Sequence, residues 1–349
     1  MLDRRRFHGR RLALAGILSL AIAPIACASD LDRWHVEGLL LGKKGNASTD
    51  ISGIACIDTN SFPRNCLVID DNLQSAQQVT LTEGKIRAGS SVPVISERFE
   101  GKPLELDGEG VAYANRVFYV IGSHGHPRDR KQELDPTRDR DQIAARITAA
   151  SQIVRLRSLT GGSLEVLPPS RKLASIIDAQ PDLRPFAKRR LEANGVTIEG
   201  VAVSGDRLFV GFRGPSLPGG QAPVLSVALA GLFGDDPDQA RLFRLPVGAG
   251  RGVRDLAAFR DRILVLIGPT GDGEGSYTVH SWDGRSNALR QLADLNARIP
   301  DMAKKKPEAI LPLDANAAGL RILVLFDGGD QGTPTELTIG SPDTKQNDA

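Results

Sequence analysis

The sequence predicts an all-β protein, a β-propeller of five four-stranded blades, and three observations carry that prediction. A short phrase recurs five times, an apolar strand follows each copy, and the copies are almost evenly spaced. The copies are Asp50-Ile51-Ser52-Gly53-Ile54-Ala55, Asp107-Gly108-Glu109-Gly110-Val111-Ala112, Thr197-Ile198-Glu199-Gly200-Val201-Ala202, Gly252-Val253-Arg254-Asp255-Leu256-Ala257 and Lys306-Pro307-Glu308-Ala309-Ile310-Leu311. Their partners are the runs 66–70, 117–121, 207–211, 263–267 and 322–326. A strand, turn, strand unit repeated at this length is how propeller blades appear in sequence. Aligned on positions 53, 110, 200, 255 and 309, the copies lie 57, 90, 55 and 54 residues apart. Blades run to roughly 40–50 residues, so intervals near 55 mean four strands with generous loops. The interval of 90 needs an insertion, and it also leaves room for a sixth blade with an eroded signature.

Residues 1–28 read as a signal peptide rather than as part of the fold. Arg4, Arg5, Arg6, Arg10 and Arg11 form a positive start, Leu12 to Ala26 is an apolar run of 15 residues, and Ala26-Cys27-Ala28 fits a small-x-small cleavage site. The run is shorter than the about 20 residues that cross a bilayer. Arg4-Arg5-Arg6-Phe7 matches the core of a twin-arginine signal, so the Sec and twin-arginine routes both stay open. Acylation at Cys27 is a competing lipoprotein reading, with Pro24 a poor fit to the usual Leu. The expected address is periplasmic or secreted, with no transmembrane segment left in the mature protein.

Cleavage after Ala28 leaves two of the three cysteines, Cys56 and Cys66, on the paired strands of the first repeat. An oxidising compartment permits a disulfide there; the alternative is two free buried thiols. Cleavage also takes Lys plus Arg from 44 to 39 and Asp plus Glu from 42 to 41, turning the formal +2 into −2. A mature chain of that balance is not a basic nucleic-acid binder. The propeller domain is placed at residues 29–340 and the polar segment 341–349 is expected to be a disordered tail.

The remaining elements follow in chain order. The segment Trp34 to Leu41 reads as an apolar strand and is expected to complete the last blade, closing the ring with both ends of the chain so that no edge is left unpaired. His126 to Arg146 carries charges of alternating sign with Pro127 and Pro136, a solvated loop running into a short helix. Between Arg171 and Asn194, Leu173, Ile176, Ile177, Leu183, Phe186 and Leu191 recur near helical spacing, giving one or two helical segments broken at Pro181 and Pro185. The helical insertion thus follows the second repeat.

The repeat column supplies the site candidates. Ser52, Glu109, Glu199, Arg254 and Glu308 occupy one position of the phrase, at the start of the strand that lines the channel, and would ring one mouth of it. Converging carboxylates repel and need a cation, an arginine partner or raised pKa values. Arg254 is an internal answer; a Ca²⁺ held by Glu109, Glu199 and Glu308 would be another, since that ion prefers oxygen ligands. The alternative is that Glu109 and Glu199 merely lock neighbouring blades together. A second set follows the partner strands and should return to the same mouth: Asp71, His124, His126, Arg213 and Asp327. No strand-to-helix phosphate loop and no Gly-x-Ser-x-Gly elbow is present.

At these residues the chain resembles a known family. Asp-x-Ser-Gly-Ile-Ala in the first repeat, Asp-Gly-Glu-Gly-Val-Ala with Val-Ile-Gly-Ser-His-Gly in the second, Ile-Glu-Gly-Val-Ala with Gly-Phe-Arg-Gly-Pro in the third and Lys-Pro-Glu-Ala-Ile with Phe-Asp-Gly-Gly-Asp in the last resemble the bacterial domain of unknown function 3616. The chain is more distantly similar to phytase-like propellers. The resemblance implies an exported propeller without an established reaction, and the phytase-like relatives imply calcium-assisted phosphoester hydrolysis. Arg254 and Ser52, standing where an acid would stand, argue against carrying that activity over. The expectation is therefore a monomer that binds a small-molecule ligand, an ion or a protein partner at the channel mouth. The second reading is a metal-assisted phosphoesterase with Arg213 and Arg254 clamping phosphate oxygens.

Overall fold

In the computed structural model, which describes residues 32–57, 61–128, 134–236, 239–300, 302 and 305–343, the five phrases become the innermost strands of five antiparallel sheets. Blade 1 is Ile51–Cys56, Arg64–Asp70, Ser75–Thr82 and Lys85–Pro93. Blade 2 is Gly108–Ala114, Val117–Gly122, Ile153–Ser158 and Leu164–Ser170. Blade 3 is Thr197–Ser204, Arg207–Gly214, Gln221–Ala228 and Arg241–Pro246. Blade 4 is Arg251–Phe259, Arg262–Pro269, Thr278–Trp282 and Leu289–Asp294. Blade 5 is Lys306–Asn316, Gly319–Asp327, Thr335–Ile339 and the N-terminal Asp32–Arg33. Each innermost strand touches that of the next blade, and the fifth touches the first, so five blades close the ring and no sixth is present.

The core lies between blades rather than inside one. In Ile263–Ile267, which is buried throughout, Ile263, Val265 and Ile267 pack with blade 3 while Leu264 and Leu266 pack with blade 5. Successive side chains of a strand point to opposite faces. A strand covered on both faces is therefore apolar at every position, which is why the partner runs stand out in the sequence as uninterrupted stretches.

Closure differs from the expected Trp34–Leu41 strand. Asp32 and Arg33 pair with Glu336 and Thr335, and the chain then crosses to blade 1, where His35–Glu37 joins the outer edge in parallel with Lys85–Arg87. Trp34 fixes the crossing point. Its indole is buried in the cluster between blades 5 and 1, packs 5.9 Å from the Phe62 ring and donates to Glu336 Oε2 at 2.9 Å. An aromatic body with a polar tip can serve both demands at once, so the strand ends where that ring turns inward.

Both insertions emerge from blade 2. Helix α1 (Arg140–Ala150) separates its second and third strands; α2 (Lys172–Ala179) and two single turns, Arg184–Phe186 and Leu191–Ala193, lead to blade 3. A third helix, α3 (Leu229–Phe233), caps the third strand of blade 3 and is too short to show a helical period in sequence. Cys56 and Cys66 face each other across the first two strands of blade 1 and form the expected disulfide. Among the described residues no helix is long and apolar enough to cross a membrane. The segment expected to be a signal peptide, with Cys27, and residues 344–349 of the polar tail lie outside the described residues.

Candidate functional site

Every residue of the predicted column is the extra residue of a β-bulge. In blade 1, Ile51 pairs with Asp70 and Gly53 with the adjacent Ile69, leaving Ser52 without a partner. The same slip leaves out Glu109 in blade 2, Glu199 in blade 3, Arg254 in blade 4 and Glu308 in blade 5. A bulge kinks its strand and re-aims the unpaired side chain, a device common beside functional sites. The bulges set Ser52, Glu109, Glu199 and Glu308 on one mouth of the channel, with Arg254 buried beneath them rather than on the predicted ring.

Beneath them the channel is closed. A Cβ on Gly53 would lie 2.8 Å from Gly110 Cα, and one on Gly200 would lie 2.8 Å from the Leu256 backbone nitrogen. These glycines let innermost strands approach backbone to backbone. Where the column carries Asp255 instead, its carboxylate accepts from the Leu256 and Ile310 backbone amides at 2.7 and 2.8 Å, joining blades 4 and 5. Below this level Ile54, Val111, Val201, Leu256 and Leu311 leave a void of only about 60 Å³. The mouth is therefore a cup, of about 320 Å³.

Half of the cup is held by a chain of ion pairs. Arg213 donates to Glu199 Oε1 and to Asp272 Oδ1, both at 2.8 Å, and to the Thr270 carbonyl at 2.8 Å. Arg254 Nε lies 2.9 Å from Glu199 Oε2, close in charge but not aligned as a hydrogen bond, and its Nη2 donates to Glu308. Arg254 sits below the cup wall, 1% exposed. Burial pushes the Glu308 carboxyl up to about 8 against the pull of Arg254. Glu199 and Glu308 thus use an internal cation, the first of the two answers the sequence offered.

The other half has no such compensation. Glu109 lines the cup at 7% exposure and, among the described residues, has neither a hydrogen bond nor an ion pair. Burial first, then Glu199 and Asp107, hold its carboxyl well above the usual range. Asp71 is likewise raised by burial and by Asp107 and Asp50, and Asp107 by burial despite a hydrogen bond from Ser123. Crowding and burial of this kind favour the protonated form of a carboxyl, and a nearby positive charge favours the ionised one.

Ser52, Asp71, His126 and Asp327 line the cup together with Glu109, Glu199, Glu308 and Arg213. Asp327 also lies 3.6 Å from Lys306. His124 does not line it: its Nδ1 donates to the Gly122 carbonyl at 2.9 Å, and burial pushes its pKa down to about 4. Sequence reasoning missed Asp50, Glu105, Asp107, Arg128 and Arg146 in the wall. Asp50 and Asp107 open their copies of the phrase and were legible there. Arg128 and Arg146 arrive from the insertion of blade 2, where no repeat marks them. Among the described residues no group of three or more His, Cys, Asp or Glu side chains is placed to hold a metal.

A family model described as protein of unknown function (DUF3616) matches residues 148–336. No curated protein matches the chain. Solved structures of similar shape include a protein from Lactobacillus plantarum, 14% identical, over 86% of this chain and 73% of that one at a TM-score of 0.35. They also include an exo-β-1,3-galactanase from Phanerochaete chrysosporium, 8% identical, over 86% and 62% at 0.46. A putative 6-phosphogluconolactonase from Bacteroides uniformis is 12% identical, over 86% and 74% at 0.34. This chain spans less than two thirds of the galactanase, and likenesses this loose bear on no reaction.

Proposed function

Because the chain belongs to the family described as protein of unknown function (DUF3616), we propose its function from the cup itself: it binds a small, polar molecule carrying positive charge. One observation supports this above the rest, the unpartnered Glu109 carboxyl opening on the cup. A buried carboxylate without a partner is costly, and a bound cation supplies what the fold withholds. Along the wall carboxylates outnumber guanidiniums nine to three, so the surroundings favour the same sign of ligand. Export is part of the proposal, since the Cys56–Cys66 bridge suits an oxidising compartment.

The test is thermal unfolding of the mature protein with n-butylammonium or Ca²⁺, in wild type and in Glu109→Gln. A ligand that binds only the folded state raises Tm as its concentration passes Kd. The expected result is a rise with at least one of the two cations, lost in the variant. Indifference to both sinks the proposal. The second reading, a metal-assisted phosphoesterase, has less support because Arg213 and Arg254, its phosphate clamp, already hold Glu199. Ca²⁺-dependent turnover of a generic phosphoester, abolished by EDTA, would restore it.

A further inference from the structure

Among the described residues, an acidic and a basic side chain of the cup each lack a charge partner. One is Glu109. The other is Arg146, which α1 carries into the wall. Among the described residues its only hydrogen bond runs from Nη2 to the Arg128 carbonyl at 3.5 Å, the outer limit for such a bond. Among the described residues it forms no ion pair, although its field reaches Asp107. The other guanidiniums of the wall are engaged: Arg213 by Glu199 and Asp272, and Arg128 by Asp272 at 3.2 Å. Glu109 and Arg146 do not pair with each other, so a gap separates them inside a cup of about 320 Å³.

We infer that the molecule the cup takes is a small zwitterion, its cationic group facing Glu109 and its anionic group facing Arg146. This rests on the reading of the cup as a cation site and adds the anionic half. A ligand with only a positive charge leaves the Arg146 wall unsatisfied and brings a like charge toward it. A zwitterion meets both walls, and a carboxylate on a guanidinium gives a charge-assisted hydrogen bond of two parallel contacts. Volume agrees, since the cup lies at the lower end of the range for small-molecule sites, about 300–1,000 Å³.

Calorimetric titration at neutral pH compares three probes of matched length: n-butylammonium, butyrate and 4-aminobutyrate. The expected order places 4-aminobutyrate about tenfold or more tighter than n-butylammonium, with butyrate weakest, tenfold being about 1.4 kcal/mol. Arg146→Gln should erase the advantage of 4-aminobutyrate, so that it binds no tighter than n-butylammonium, whose own affinity holds or rises as a like charge leaves the wall; Arg146→Lys should keep part of the advantage. Equal binding of 4-aminobutyrate and n-butylammonium overturns the zwitterion and leaves the cation site standing. So does an advantage that survives Arg146→Gln. Binding of neither probe overturns the cation site and the zwitterion with it.

Discussion

Glu109 and Glu199 occupy the same bulge position in the neighbouring blades 2 and 3 and differ in their partners. Glu199 accepts from Arg213 and faces Arg254, so removing its charge takes one of two carboxylate partners from each of two guanidiniums that are 3% and 1% exposed. Breaking a buried pair costs about 3–5 kcal/mol, because the surviving charge stays buried without compensation. Since Arg213 keeps Asp272 and Arg254 keeps Glu308, Glu199→Gln should lose up to about that much stability in urea unfolding. Glu109→Gln breaks no pair and relieves a crowded carboxyl, so its stability should stay level or rise. Equal losses in the two variants would mean that the column is merely structural. The phrase made this column legible, because one position changes residue while its neighbours repeat. The division into paired and unpaired acids was not legible. It depends on Arg213, which reaches Glu199 from the end of the second strand of blade 3 and is itself held by Asp272 from blade 4.

At the scale of elements, bulge and glycine act together. The bulge aims the polar side chain upward, and the next residue must let the neighbouring strand in. Gly200→Ala places a methyl group 2.8 Å from the Leu256 nitrogen, a backbone atom that cannot move without shifting blade 4. Forcing extra volume into a packed interior costs about 1–3 kcal/mol. The expected outcome is a loss of that size, with a loosened cup floor seen as faster amide exchange at Leu256; an unchanged midpoint and exchange rate would refute the account of the floor. Strands and helices were readable from apolar runs and helical spacing. Ring closure was only half readable. The apolar pattern of Trp34–Leu41 shows that a strand lies there but not which edge it meets, and the buried Trp34 ring divides the segment between two blades.

Across the whole molecule, the ring sets five innermost strands side by side, and the cup exists only when all five are in place. Charge follows from that assembly. Asp327, more than two hundred positions away in sequence, is among the charges that raise the Asp71 carboxyl. The expectation is that a cation entering the cup displaces protons from these raised carboxyls. A carboxyl with a raised folded pKa contributes stability at low pH and loses it as pH rises through that pKa. Cation binding has the opposite dependence and strengthens over the same range. The decisive measurement is the number of protons released when n-butylammonium binds, obtained by calorimetry near pH 6 in buffers of differing ionisation enthalpy. A net release, with affinity rising as pH is raised, is the predicted result; binding without release, or with proton uptake, would contradict the cup as a site where a cation replaces protons on Glu109 and its neighbours.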